Sequence, residues 1–374
     1  MKIVFLFISI LSSSIPVFAQ ENLFMNNTKK VDSLLKSVYA DDLPGASIAI
    51  VHHGKVIFKS SYGVTQINSN EKISSSTNFN IASLTKQFTA MAILQLAEKN
   101  KLSLSDKLSH FFPEMNPKLA EAITIQQLLT HSSGIPDHYD YTHTKNLLHA
   151  HDRNVFDAIK NADSTYFIPG SRFRYSNTAF CLLALIIEKT SGLPYAGYLQ
   201  KNIFLPSGMR HSTVWNEYAT VFQPASGYEY DKTENKFRKS QGEENIFFST
   251  EGDGGIYTSV DDYLKWFNAL QSGKVFSKKI TDEARSIQFA IDENKKLGYG
   301  YGWFIDSSDL SKKVYHSGSN AGFRSFSFTI PPQNTLIVIF SNRADIDLEA
   351  LVLKITHLVM PADKPFTKIE NLTS

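Results

Sequence analysis

The chain has 374 residues, with 38 Lys or Arg against 36 Asp or Glu for a formal net charge of +2, and 42% of it is hydrophobic. That make-up belongs to a folded globular chain and excludes a wholly disordered one, while near-neutrality leaves no basic surface of the kind nucleic acid requires. The single cysteine, Cys181, excludes an internal disulfide, a Cys-rich zinc site and a four-cysteine iron–sulfur cluster.

In chain order, Lys2 precedes the apolar run Ile3 to Leu11, then a Ser-rich stretch and Val17-Phe18-Ala19. This is the pattern of a secretory signal cut after Ala19, and the run is shorter than the ~20 residues a spanning helix needs. Residues 1–19 are therefore read as a signal peptide and residues 20–374 as an exported protein, periplasmic or secreted, with no span after signal removal. Val31, Leu34, Leu35 and Val38 give a helix over Lys29 to Tyr39, and Gly45 to Tyr62 reads as a hairpin turning at His52-His53-Gly54-Lys55. Leu84 to Lys99 is a helix with Phe88, Met91, Ile93 and Leu94 on its apolar side. From about 115 to 250 helical runs alternate with Gly, Pro, Ser and Asn loops, the clearest helix being Thr178 to Lys189. Strands then return at Tyr301 to Ile305, Lys313 to His316, Phe323 to Ile330 and Thr335 to Ser341, the last two joined through Pro331-Pro332-Gln333-Asn334. Asp345 to Met360 closes the chain as a helix. The fold class is α+β: one antiparallel sheet built from both ends of the chain (about 20–115 and 255–374), carrying a mostly helical region (about 116–254) and sharing a cleft with it.

Three short motifs carry chemistry. Ser83-Leu84-Thr85-Lys86 opens a helix, which puts serine and lysine one turn apart on one face. A serine hydroxyl needs an adjacent base to act as a nucleophile, and a helix N-terminus favours the oxyanion that follows. The same spacing at Ser33/Lys36 and Ser69/Lys72 opens no long apolar helix after a strand-rich segment. Tyr175-Ser176-Asn177 ends a loop leading into the helix at Thr178; read alone it is a turn whose Asn caps that helix. His316-Ser317-Gly318-Ser319 ends a strand, and its glycine allows a substrate to approach the strand backbone.

Taken in this order, S-x-x-K, Y-x-N and H-x-G resemble the serine β-lactamase and penicillin-binding protein superfamily, in the branch of class C β-lactamases, DD-peptidases and related esterases. Leu128-Leu129-Thr130-His131-Ser132-Ser133-Gly134, Phe204 to Met209 and Gly254 to Ser259 look like the same family, and the resemblance covers roughly residues 30 to 345. It implies a β-lactamase/transpeptidase-like fold and a serine hydrolase. Ser83 would be the acylated nucleophile, Lys86 and Tyr175 the proton carriers in an order the sequence leaves open, and Asn177 a hydrogen-bonding partner of substrate. The N–H groups of Ser83 and Ser319 would form the oxyanion hole, with His316, Ser317 and Gly318 completing the substrate-binding strand. Neither cofactor nor metal is implied. Histidine at 316, where many β-lactamases of this branch have lysine, favours a peptidase or esterase acting on a D-amino-acid peptide or small ester, with peptidoglycan-derived peptides among the candidates. β-Lactam hydrolysis and a non-catalytic cell-wall-peptide binder are the alternatives. A neutral His316 hydrogen-bonded to Tyr175 predicts a kcat/KM that rises from acid pH to a plateau near ~8.

Other features read as structure. His149-Ala150-His151-Asp152, with His138 and His143, approximates a metallo-hydrolase motif but has its aspartate one place too early, so a solvated loop is expected. Gly45 to Ala49 approximates a nucleophile elbow yet continues as a strand. Cys181 is expected in the core, Tyr299, Tyr301 and Trp303 in a core or pocket wall, and Arg324 as a surface charge or an anchor for an anionic substrate end.

Overall fold

The computed structural model describes residues 17–141, 149–240, 246–308 and 311–360, with 17–26 described by their backbone. Its main sheet comprises β1 (Ala46–His52), β2 (Lys55–Tyr62), β3 (Phe289–Asp292), β4 (Leu297–Tyr299), β5 (Phe304–Asp306), β6 (Lys313–Asn320), β7 (Phe323–Ile330) and β8 (Thr335–Ser341). The order across the sheet is β2-β1-β8-β7-β6-β5-β4-β3, antiparallel throughout. The first strand closes on the last, with Ala46 opposite Ser341 and Val51 opposite Leu336, so both ends of the chain build one sheet, as expected of this α+β class. The principal helices are α1 (Val17–Val38), α2 (Thr85–Glu98), α3 (Asp152–Ile159), α4 (Asn177–Ser191), α5 (Val260–Ser272) and α6 (Leu348–Val359).

Strand side chains alternate between faces, and here both faces are apolar because both are covered. Ile48, Ile50, Phe326, Phe328, Ile337 and Ile339 pack with Val31 and Leu35 of α1 and Leu351, Val352 and Ile355 of α6. Their neighbours Ala49, Val51, Leu336, Val338 and Phe340 join the second core with Phe88 of α2, Phe180 of α4 and Trp266 of α5. A sheet buried on both sides reads as continuous hydrophobic runs, which is how β1 and β8 read.

Several boundaries differ from the sequence reading for local reasons. The strand expected over Lys313 to His316 continues to Asn320, because Ser317 and Asn320 pair with Phe326 and Phe323 of β7; ladder pairing overrides their polar side chains. The strand expected from Tyr301 begins at Phe304, after Gly302 at φ 89. The last helix begins at Leu348 because the Asp347 side chain caps it, accepting the Ala350 N–H at 2.9 Å. β3, β4 and α5 escaped the sequence reading. So did the hairpin Tyr228–Asp231/Lys236–Lys239, inside the region read as mostly helical. Gly45 to Ala49 leads into and forms part of β1 as expected, and Cys181 is buried.

The apolar run of the expected signal peptide and His143 lie outside the described residues. Among the described residues no single helix is long and apolar enough to cross a membrane.

Candidate active site

The turn that carries Ser83 is held from three sides. Phe79–Asn80 pairs with Ile256–Thr258, and the Ile81 N–H donates to the Ile256 carbonyl at 2.9 Å. Ala82 takes the left-handed conformation at φ 48, its N–H held by the buried Asn80 Oδ1 at 2.8 Å. Such a conformation costs a non-glycine residue about 1–2 kcal/mol, and it turns the chain directly into the 3₁₀ turn Ala82–Leu84 and α2. From the sheet side, Ser325 Oγ donates to the Ile81 carbonyl at 2.7 Å. A Cβ at Gly318 would stand 2.5 Å from that carbonyl and 3.1 Å from Ala82 Cβ. The glycine of the H-x-G motif thus makes room for the Ser83 turn rather than for a substrate, which corrects the sequence reading.

Lys86, one turn into α2, is fully buried. Its Nζ lies 3.0 Å from Ser83 Oγ, and it donates to Asn177 Oδ1 and to the Asp253 carbonyl, both at 2.8 Å. Asn177 is free for this because Ser176, not Asn177, caps α4, accepting the Ala179 N–H at 3.1 Å. The cap expected of Asn177 belongs to its neighbour. Tyr175 precedes them, with its ring centroid 4.9 Å from Lys86 Nζ. Its buried hydroxyl has no hydrogen-bond partner among the described residues.

Behind Tyr175 stands an aromatic wall. His131 Nδ1 accepts the Ser176 N–H at 3.0 Å, and its ring lies 4.3 Å from that of Tyr175 and 4.6 Å from that of Tyr299. Burial, with the charge of Lys86, holds His131 well below its ordinary pKa. His316 is equally buried. Its Nδ1 lies 2.6 Å from the Ser317 carbonyl, which can only accept, so Nδ1 carries the proton and Nε2 accepts from the Tyr299 hydroxyl at 3.1 Å. The partner expected for His316 was Tyr175; the structure gives it Tyr299, with Tyr175 at 6.0 Å between ring centroids. Burial and Lys86 push the His316 pKa down to about 3. The imidazole is therefore neutral across the physiological range, and the rise of activity toward pH ~8 predicted from its titration at ~6.5 loses its cause.

Ser83 opens onto two connected sub-clefts. One, of about 370 Å³, is lined by Ser83, Asn177, Ser319, Glu229, Asp253 and Arg324 among others. The other, of about 450 Å³, adds Tyr175, His316, Ser317, Phe304, Asp137 and Arg174 to the shared Ser83, Tyr139, Asn177 and Ser319. Ser317 and Ser319 are exposed on the cleft side of β6. Arg324 belongs to the cleft wall and not to the open surface; its guanidinium donates to the carbonyls of Ala321 and Phe323 at 3.0 and 2.8 Å. The structure thus gathers Ser83, Tyr175, Asn177, His316, Ser317 and Ser319 around one cleft, with Lys86 and Gly318 buried behind the Ser83 turn. His131 and the Asp253 carbonyl went unassigned in the sequence, and Tyr299 was expected only in a core or pocket wall. His131 lies in Leu128 to Gly134, which was noted without a role, and a carbonyl leaves no side-chain signal. The loop expected around His138 and Asp152 is not solvated at those residues: both are buried.

This arrangement, a Ser–Lys pair at a helix start facing an antiparallel strand, defines a β-lactamase-type fold. The chain belongs to the Beta-lactamase family, whose model matches residues 30–354. It is 28% identical over 356 residues to penicillin-binding protein 4* of Bacillus subtilis (strain 168), covering 91% of this chain and 78% of that protein. It is 31% identical over 324 residues to Protein flp of Staphylococcus aureus (strain MW2), covering 85% of this chain but 63% of that protein. Among solved structures, the octameric penicillin-binding protein homologue from Pyrococcus abyssi superposes with a TM-score of 0.75 at 27% identity, over 94% of this chain and 79% of that one. D-amino acid amidase from Ochrobactrum anthropi SV3, complexed with D-phenylalanine, shares the fold with a TM-score of 0.74 at 21% identity, over 90% of this chain and 100% of that one.

Proposed function

We propose that the protein is an exported serine hydrolase that forms an acyl-enzyme on Ser83 and acts on a D-amino-acid peptide or amide or a small ester. The observation that carries this reading is the set of acceptors around Lys86. The amide oxygen of Asn177 and the carbonyl of Asp253 can only accept, so each takes one N–H. A lysine in its amine form then has its lone pair left for the third neighbour, Ser83 Oγ at 3.0 Å. Lys86 is built to take the serine proton.

Ser83 Oγ attacks the substrate carbonyl as its proton passes to Lys86, and the N–H groups of Ser83 and Ser319 receive the oxyanion. When the intermediate collapses, the bond to the leaving nitrogen or oxygen breaks and that atom takes a proton. Tyr175, whose hydroxyl has no other partner among the described residues, delivers it and is reprotonated through Lys86. Water then attacks the acyl-enzyme by the reverse route. The leaving group must lie beside its proton donor, so the sub-cleft with Tyr175 takes the leaving group and the one with Glu229 and Arg324 takes the acyl group. A neutral His316 puts no cation on the leaving-group strand. Arg174 is the cation on that side for a leaving group that carries a carboxylate, and the amidase among the structural neighbours supports an amide substrate.

The test is a panel of p-nitrophenyl esters, D-amino-acid amides, D-Ala-D-Ala peptides and a chromogenic cephalosporin on wild type and Ser83→Ala. Turnover of esters and D-amino-acid amides, lost in Ser83→Ala, is expected. A cephalosporin turned over faster than either would overturn the substrate assignment, and no turnover of any would leave a binder. Export predicts that secreted material begins at Gln20; recovery of uncut, membrane-embedded chain contradicts it.

A further inference from the structure

The Asp253 carbonyl that accepts from Lys86 sits on a tight turn between the short helix Ile246–Ser249 and the strand Ile256–Thr258. A backbone carbonyl is only as well placed as its turn, and this turn is tied down by buried side chains. Asp152, in the first turn of α3, accepts the Glu251 N–H on Oδ1 and the Gly252 N–H on Oδ2, both at 3.1 Å. Thr89 Oγ1, on the helix of Lys86, donates to the Gly252 carbonyl at 2.6 Å. Gly252 leaves no room to move: a Cβ there would meet the Phe180 carbonyl at 2.4 Å and Ala184 Cβ at 2.7 Å on α4.

We propose that Asp152 is a positioning residue for Lys86: its carboxylate fixes the Glu251–Gly252 backbone, and through it the Asp253 carbonyl that holds one of the two Lys86 N–H bonds. The inference rests on the proposed role of Lys86 as proton acceptor. Both Asp152 oxygens are occupied by N–H donors of consecutive residues, a geometry that asparagine cannot reproduce because its NH₂ would face one of them. Misplacing the carbonyl leaves Lys86 free to swing its lone pair off Ser83 Oγ, and a sub-ångström error in a proton acceptor slows chemistry without altering substrate binding. Asp152 is faced by Glu251 and Asp253 from the turn, Cys181 from α4 and Tyr195 from the helix Tyr195–Leu199, with Lys86 on α2 beyond the turn. Burial and the two acidic neighbours raise its pKa well above the usual carboxylate range. Protonation of the tether therefore falls at higher pH than for an exposed aspartate.

The experiment follows the rate and endpoint of labelling by a fluorescent fluorophosphonate, with p-nitrophenyl ester kinetics, on full-length wild type, Asp152→Asn, Thr89→Val and Ser83→Ala. Asp152→Asn should label to the same endpoint about 10-fold more slowly, with kcat reduced and KM unchanged. Thr89→Val, which removes another tie to the turn, should show a smaller loss of the same kind and keeps the question answerable if Asp152→Asn fails to fold. The part of the acid limb that comes from protonation of Asp152 should be absent in Asp152→Asn and lie at lower pH in Glu251→Gln, where one of the acidic neighbours that raise it is gone. A merely structural Asp152 would lower the endpoint and the melting temperature while the remaining folded molecules label at the wild-type rate, and that result overturns the inference. Labelling of Ser83→Ala would instead bring down the underlying assignment of the nucleophile.

Discussion

On one side of Ser83, Lys86 is fully buried among acceptors fixed by a helix start and a tied turn; on the other, His131 and His316 are equally buried but stand in an aromatic wall. The two regions answer the same desolvation penalty differently. Around Lys86 three oxygens, those of Asn177, Asp253 and Ser83, stand within hydrogen-bond reach of Nζ. Around the histidines no compensating charge is supplied, and Lys86 itself repels a second cation, so both rings are held neutral. A buried titratable group is useful for proton transfer where both of its states are solvated by the protein, and rigid where only one is.

Removing Lys86 breaks the active side and should have the largest effect. Lys86→Ala is expected to lower kcat/KM for a p-nitrophenyl ester by about 10³–10⁴-fold, in the range of a lost general base, with KM changed little. Near-normal kcat in this variant would move the base to Tyr175.

The neutral side makes a pH prediction. The folded-state pKa of His316 is about 3 against ~6.5 unfolded, so between these values the unfolded chain binds the extra proton. The stability linked to His316 is fully present above pH ~6.5 and is lost as pH falls toward ~3, a loss on the order of 5 kcal/mol at its limit. Denaturant unfolding at pH 7 and pH 4 should show a smaller acid loss in His316→Gln than in wild type. Equal losses would mean that His316 is not held neutral by its surroundings. Over about pH 5 to 8, wild-type kcat/KM should carry no inflection that His316→Gln removes.

Smaller changes sharpen how the two sides are joined. Gly318→Ala puts a Cβ 2.2 Å from Ser325 Oγ and 2.5 Å from the Ile81 carbonyl. This should cost about 1–3 kcal/mol and reduce the acylation rate, by prising β6 from the Ser83 turn; unchanged rate and stability would show that the turn tolerates the shift. Tyr299→Phe removes the donor to His316 Nε2 and should cost about 1 kcal/mol with little effect on kcat. A large loss of kcat would give Tyr299 a part in the reaction.

The sequence disclosed the two regions unequally. β1, β7 and β8 were legible because hydrophobic runs bounded by turn residues carry their own signal, and α2 because its apolar side is continuous. The polar end of β6, from Ser317 to Asn320, was not, since its strand character comes from pairing with β7 and not from its own side chains. At the site, Ser83 and Lys86 carried a local signal in their spacing at a helix start, while Tyr175 and Asn177 entered only through the resemblance of the joined motifs. The ties that aim them carried no such signal: Asn177 depends on Ser176 taking the cap, His316 on a tyrosine 17 residues away, and Lys86 on a carbonyl held by an aspartate 99 and 100 residues from the N–H groups it accepts. Such long-range hydrogen bonds have no period and no local motif, and His149-Ala150-His151-Asp152 read as a solvated loop because burial by distant elements is invisible from within it.

The proposed acylation of Ser83 depends on Lys86, whose Nζ stands 3.0 Å from Ser83 Oγ. Its most direct measurement is intact mass after treatment with a fluorophosphonate, on wild type, Ser83→Ala and Lys86→Ala, at a time when wild-type labelling is just complete. The account predicts one adduct on wild type, none on Ser83→Ala and only a small fraction on Lys86→Ala. An adduct of the same mass on Ser83→Ala, or full labelling of Lys86→Ala in the same time, would contradict it.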